Sequence, residues 1–204
     1  MLIQLIFFLP AALLAIIFLF LLNFYRDPKR SIPEGNVVVS PADGKIISII
    51  RTKGPDMKIS KGLFGKIKTL SKDIGKDCYA VSIFMSPLDV HYNRSPVGGK
   101  VLSTLHQPGK FFKAYDLEKS LMNEKNEIII QNKRLGKVKV IQIAGFLARR
   151  ISCFVKAGQK IDKGDKVGFI SLGSQATVIL SSKAHLKVKK GDKVKAGSSV
   201  IASY

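Results

Sequence analysis

Val155-Lys-Ala-Gly-Gln-Lys-Ile-Asp-Lys-Gly-Asp-Lys-Val167 returns 33 residues later as Val188-Lys-Lys-Gly-Asp-Lys-Val-Lys-Ala-Gly-Ser-Ser-Val200. Both copies set glycines six residues apart, with valine or isoleucine at matching places. Glycine permits the turns and β-branched residues favour the strands, so each copy reads as hairpin, crossing, hairpin. Between the copies lies Phe169-Ile-Ser-Leu-Gly-Ser-Gln-Ala-Thr-Val-Ile-Leu180, two β-segments with the step Gly173-Ser174 between them. A glycine inside such a run marks a bend or a close backbone approach.

Working towards the N-terminus, strands are predicted at Tyr79–Met85, Glu127–Gln131 and from Lys137 into the apolar run ending at Gly145. Val37 to Ile50 reads as strand, turn, strand, with Ser-Pro-Ala-Asp-Gly at the turn. Leu117 to Lys125 is expected to form a brief helix. In the lysine-rich stretch 51–76, Leu63, Ile67, Leu70 and Ile74 recur at helical spacing, which predicts a short helix in a membrane interface. A basic surface loop is the alternative. Nucleic-acid binding is disfavoured, because this stretch lacks the aromatic interleaving that single-strand binders use. The tail repeat resembles the barrel-sandwich fold of biotinyl and lipoyl domains. The lysine that carries their cofactor in a tight turn is absent, so that likeness concerns fold and not function. The expected class is mainly β: a barrel-sandwich or lipoyl-like β domain with short helices and an N-terminal membrane segment.

Met1 to Leu22 holds no charged side chain and is long enough to cross a bilayer once. It lacks the basic leader and small-residue cleavage site of a signal peptide. Arg26, Lys29 and Arg30 follow directly, and the positive-inside rule keeps them cytoplasmic. A monotopic hairpin bent at Pro10 is the alternative. The expected division is an anchor over 1–23 and a β-rich body over 24–204, at the cell membrane with the body on the cytoplasmic face. Among the 204 residues, 34 Lys and Arg face 14 Asp and Glu, a net charge of +20 that suits anionic lipid. The two cysteines match no metal-ligand spacing, and no metal is expected.

Three residues carry candidate chemistry: Asp43 in its turn, His91 in a polar segment between two prolines, and Ser174. Val39-Ser-Pro-Ala-Asp-Gly-Lys45, Phe84-Met-Ser-Pro-Leu-Asp-Val-His-Tyr-Asn-Arg-Ser-Pro96, Val140-Ile-Gln-Ile-Ala-Gly-Phe-Leu-Ala-Arg-Arg150 and Leu172-Gly-Ser174 stand in the order found in phosphatidylserine decarboxylase proenzymes. The match extends to Arg26-Asp-Pro28 and Pro108-Gly-Lys-Phe111, and it is similar to the short, membrane-attached form of that family.

The resemblance implies self-cleavage between Gly173 and Ser174, giving a β chain 1–173 and an α chain 174–204 that stay together as a heterodimer. It implies a pyruvoyl cofactor made from Ser174, with His91 as the base, Asp43 orienting it, and His91 as proton donor in decarboxylation. Where longer members carry a second histidine, this chain has Arg94. His106 and Arg149 are expected near the headgroup phosphate, on phosphate's need for cationic donors. The expected partner is a phospholipid in the membrane; a higher oligomer is compatible with the sequence. The expected product is phosphatidylethanolamine, with an archaetidylserine-type ether lipid as the alternative substrate. A non-enzymatic lipoyl-like membrane module would explain the repeat but not Asp43, His91 and Ser174. A serine hydrolase would use the same three residues in an uncut chain.

Overall fold

The computed structural model describes residues 2–53, 56–60, 66–70, 73–75, 77–108, 124–145, 150–171 and 174–204, the first seven of these and those of 56–60 and 66–70 by backbone alone. Helix α1 (Leu2–Phe24) contains Pro10 and continues on both sides of it. The hairpin bent at Pro10 is therefore not what forms. Leu9, Leu14, Ile16, Phe18, Leu19 and Leu22 are exposed along it. Among the described residues no helix is long and apolar enough to cross a membrane. The last residue, Phe24, is buried and meets the rings of His91 and Phe169, which ties the helix end to the β body.

The rest is mainly β and is built from two related halves. One half of the central eight-stranded sheet is β15 (Lys193–Val194), β2 (Gly44–Thr52), β5 (Cys78–Met85) and β13 (Ser174–Ser181). The other is β11 (Lys160–Ile161), β7 (Gly99–Gln107), β8 (Lys125–Asn132) and β9 (Gly136–Ile143). They join where β13 and β9 run antiparallel, from Gln175 opposite Ile143 to Ile179 opposite Lys139.

Each half also owns a three-stranded sheet. One comprises β1 (Val37–Val39), β16 (Val200–Ser203) and β14 (His185–Leu186). The other comprises β6 (Tyr92–Arg94), β12 (Lys166–Ile170) and β10 (Ile151–Cys153). The tail repeat is thus part of a larger two-fold pattern, in which Val37–Gly44 corresponds to Tyr92–Gly99. Ser40 Oγ donates to the Ala42 carbonyl and Ser95 Oγ to the Val97 carbonyl, both at 2.6 Å. Val39 N–H donates to Pro96 O, and Arg94 N–H returns the bond to Pro41 O. β2 and β7 carry matching bulges, at Ile46/Ser48 and Val101/Ser103. Gly44 and Gly99 are required at the same point: a Cβ on either would run into the backbone carbonyl of Phe84 or Gln131.

Val81, Ile83 and Met85 of β5 join Val38, Ile170 and Ile201 of the smaller sheets in the main core. Cys78 and Ala80 point to the other face, into a second cluster with Ile141, Ile143 and Ile179. β13 is buried on both faces from Ser174 to Leu180, which is why it reads as a continuous rather than an alternating run. Each large aliphatic side chain so buried contributes roughly 1.5–3 kcal/mol.

One expected element is replaced. Instead of an interface helix, β3 (Asp56–Ser60) and β4 (Lys66–Leu70) pair as an antiparallel hairpin. The register sets Ile59 opposite Ile67 and Lys58 opposite Lys68, so a period-two alternation wins over the helical spacing. Most of the helix expected at Leu117–Lys125 lies outside the described residues; Lys125 itself opens β8.

Candidate active site

Ser174 opens the central strand β13 and sits opposite Met85, the last residue of β5. It is 1% exposed, and its Oγ donates to Met85 Sδ at 3.5 Å. The same sulfur accepts from Asn93 Nδ2 at 3.6 Å. Behind Asn93 stands a buried amide chain. Gln142 Nε2 donates to Asn93 Oδ1 and Asn126 Nδ2 donates to Gln142 Oε1, both at 2.8 Å. Gly168 makes room for it, since a Cβ there would overlap the Gln142 amide. A thioether is a weak acceptor, so the Ser174 hydroxyl is positioned without its proton being tightly committed. The sequence reading missed Met85, Asn93, Asn126 and Gln142. The available signal was a glutamine inside the apolar run 138–144, since a buried amide demands partners.

His91 is fully buried on the segment after β5. Its Nδ1 lies 2.8 Å from the Asp89 carbonyl, which can only accept, so Nδ1 carries the proton. Nε2 therefore presents its lone pair, and among the described residues it has no hydrogen-bond partner. The ring packs 4.2 Å from that of Phe24. Burial pushes its pKa below the ordinary 6.5; the Asp89 carbonyl and the Asp89 and Asp43 charges oppose this, and Arg26 adds to it. The imidazole is accordingly a neutral base at pH 7. Ile170 N–H donates to the His91 carbonyl, so β12 delivers the chain to this histidine four residues before Ser174.

Asp43 does not orient His91. Both its oxygens accept from Arg30 Nη2 at 2.9 Å, and Oδ1 also accepts from Ala196 N–H at 2.7 Å. It ties the segment after α1 to the tail, and the Asp89 carbonyl takes the orienting role. His106 lies on β7, in the other half and three strands from β13, with Nε2 at 3.3 Å from Glu124 Oε1. The structure does not bring it to Ser174. Gly173 and Arg149 lie outside the described residues. Arg94 is a strut: it donates to Gly164 O at 2.9 Å and to Asp27 Oδ1 at 2.6 Å, and Lys166 takes Asp27 Oδ2 at 3.0 Å.

Beside this end of β5 opens a cleft of about 580 Å³ that includes Arg26, Asp43, Lys45, Phe84, Asp89 and Lys193 in its wall. A buried serine at a strand end, a neutral histidine with a free ring nitrogen and an adjoining cationic cleft are the equipment of an enzyme acting on an anionic substrate.

The phosphatidylserine decarboxylase family model matches residues 17–202. A provisionally named archaetidylserine decarboxylase proenzyme of Methanocaldococcus jannaschii is 42% identical, over 90% of this chain and 89% of its own. The phosphatidylserine decarboxylase proenzyme of Pelodictyon phaeoclathratiforme is 40% identical, over 91% and 80%. That of Aromatoleum aromaticum is 36% identical, over 92% and 80%. The chain belongs to the phosphatidylserine decarboxylase family, and it is an enzyme.

Proposed function

We propose that this chain is made as a proenzyme, cuts itself between Gly173 and Ser174, and then decarboxylates phosphatidylserine to phosphatidylethanolamine. The observation that carries the reading is Ser174, buried at the head of a central strand, in a chain of this family that also buries a neutral His91 with its Nε2 unpartnered among the described residues. Ser174 Oγ attacks the Gly173 carbonyl while His91 Nε2 takes the hydroxyl proton, and the Gly173–Ser174 amide becomes an ester. Removal of the Ser174 Cα proton expels Gly173 as a carboxylate and leaves dehydroalanine. Hydrolysis of that residue releases ammonia and leaves a pyruvoyl group at the head of β13.

The residues present fit such a group. It would sit buried against Met85, whose sulfur the Asn93 amide holds in place. Once formed, it supplies an electron sink for loss of carbon dioxide from the substrate's serine headgroup. His91, neutral and facing inward, returns a proton to the carbon that lost its carboxylate. The fragments 1–173 and 174–204 stay associated because β13 is paired on both edges, to β5 and to β9.

The two-fold halves support a barrel-sandwich reading of the body, 24–204. The exposed apolar side chains of α1, followed by Arg26, Lys29 and Arg30, support an anchor over 1–23 with the body on the cytoplasmic face. The relative from Methanocaldococcus jannaschii favours an archaetidylserine-type ether lipid as the second reading of the substrate.

Intact mass under denaturing conditions tests the proposal. Two chains split between residues 173 and 174, the smaller with a blocked terminus, are expected; one folded chain of full mass overturns it. The processing rate should be level above about pH 6.5 and fall on acidification with a midpoint below that value, because burial lowers the His91 pKa. Folding stability moves the same way. Below 6.5 the unfolded histidine takes a proton that the folded one refuses, so stability is full above 6.5 and declines as pH falls towards the folded pKa. Quenched time courses across pH 5–8 read the rate; a midpoint above 6.5 assigns it to another group.

A further inference from the structure

The cleft beside β5 has unspent positive charge. Its two acids are committed: Asp43 to Arg30 and the Ala196 N–H, Asp89 to the Ser86 N–H at 2.7 Å. Its lysines are not. Lys45, Lys193 and Lys195 line the cleft, and none has a carboxylate within ion-pair distance among the described residues. Lys45 and Lys193 stand directly opposite each other across β2 and β15. Facing like charges are unfavourable until an anion sits between them. Arg26, also in the wall, donates to the carbonyls of Asn23 and Leu88, and among the described residues it too has no carboxylate within ion-pair distance.

The other half of the fold is a built-in comparison. Lys160 and Lys100 face each other there as Lys193 and Lys45 do here. The corresponding cleft, about 380 Å³, includes Gly98, Gly99, Arg134 and Asp162. By the 33-residue repeat, Asp162 stands where Lys195 stands. The position that carries a negative charge in one half carries a positive one in the half that contains Ser174.

Location gives this charge a use. Phe84 in the cleft wall precedes Met85, the cross-strand partner of Ser174, and Asp89 is two residues before His91. Phe84 is exposed in this wall and offers apolar contact to whatever lies beyond the anion. We propose that Lys45, Lys193 and Lys195 bind the phosphodiester of the substrate headgroup and so place its serine moiety at Ser174. This inference rests on the decarboxylase reading above and adds the anion subsite that selects a phosphorylated headgroup. The shared chemistry is a phosphate oxyanion, which a lipid headgroup and free phosphate both present.

The test uses the full chain in detergent micelles, with Lys193→Gln/Lys195→Gln as the first variant and Lys195→Asp as the second. The second copies the residue that the other half accommodates at that turn. Substrates are phosphatidylserine, water-soluble glycerophosphoserine, and O-methylserine, which lacks phosphate. For both phosphorylated substrates KM should rise about tenfold or more with kcat little changed, because the contact persists from ground state to transition state. O-methylserine should turn over equally in all forms, and Lys→Arg at both positions should restore KM. A rise confined to phosphatidylserine assigns the lysines to the micelle surface and overturns the subsite. Competition by inorganic phosphate with an unchanged KM for glycerophosphoserine makes it a free-phosphate site and likewise overturns the proposal. So does an unchanged KM for all substrates, or loss of folding in both variants. Wild-type protein that stays uncut or releases no carbon dioxide instead defeats the decarboxylase reading itself.

Discussion

Ser174→Ala protein is expected to remain one chain of 204 residues and to release no carbon dioxide. The hydroxyl supplies both the attacking atom and the oxygen lost on elimination, so its removal deletes every later step rather than slowing one. The structural cost should be small. The Oγ contact is to a thioether at 3.5 Å, and alanine suits the buried β13 environment. Denaturing mass spectrometry beside circular dichroism separates the cases. A folded, uncut variant is the expected result, and a variant that still divides at residue 173 overturns Ser174 as the nucleophile.

His91→Gln should slow self-cleavage by about 10²–10⁴-fold without preventing folding. A glutamine amide can keep the bond to the Asp89 carbonyl and fill much of the space beneath Phe24, but it has no basic nitrogen to replace Nε2. The rate of appearance of the 174–204 fragment measures the effect. The remaining slow cleavage should lose the acid limb of the pH profile, because the group that titrates is gone. An unchanged rate would remove His91 from the first step. An unchanged profile at a reduced rate would make His91 a packing residue.

The strands were legible where β-branched residues run together. β13 was recognisable from Ala-Thr-Val-Ile-Leu, but its serine only from the order of the motifs that precede it, since a lone Gly-Ser step is ordinary turn chemistry. The 33-residue repeat was legible because both copies lie on turns, where glycine spacing is a geometric need. Its extension to Val37–Gly44 and Tyr92–Gly99 was not, because only Ser-Pro and one crowded glycine are shared. The residues between face different neighbours and are free to differ. Residues 51–76 were misread because lysines interleaved with apolar residues satisfy a helical and an alternating period at once, and strand pairing decided between them.

The site itself was only partly legible. His91 stands out in its polar segment and Ser174 through the motif order, but the partner of His91 is a backbone carbonyl, which leaves no mark on a sequence. Asp43 was assigned to that role through the family resemblance, on the pattern of a Ser-His-Asp triad. In the fold, Arg30 and the Ala196 amide claim it. The amide chain from Asn126 to Asn93 joins residues from three strands, β8, β9 and β6, so no local pattern announces it.

Cleavage in front of β13 would also change how the protein responds to damage. That strand is hydrogen-bonded to β5 along eight residues and to β9 along five, in the middle of the large sheet. Before the cut, an unfolded chain needs only itself to recover. Afterwards two molecules must find each other, so refolding becomes second order and slows on dilution. The mature enzyme would then persist by the slowness of its unfolding rather than by a reversible balance, each molecule having a single chance to keep its central strand.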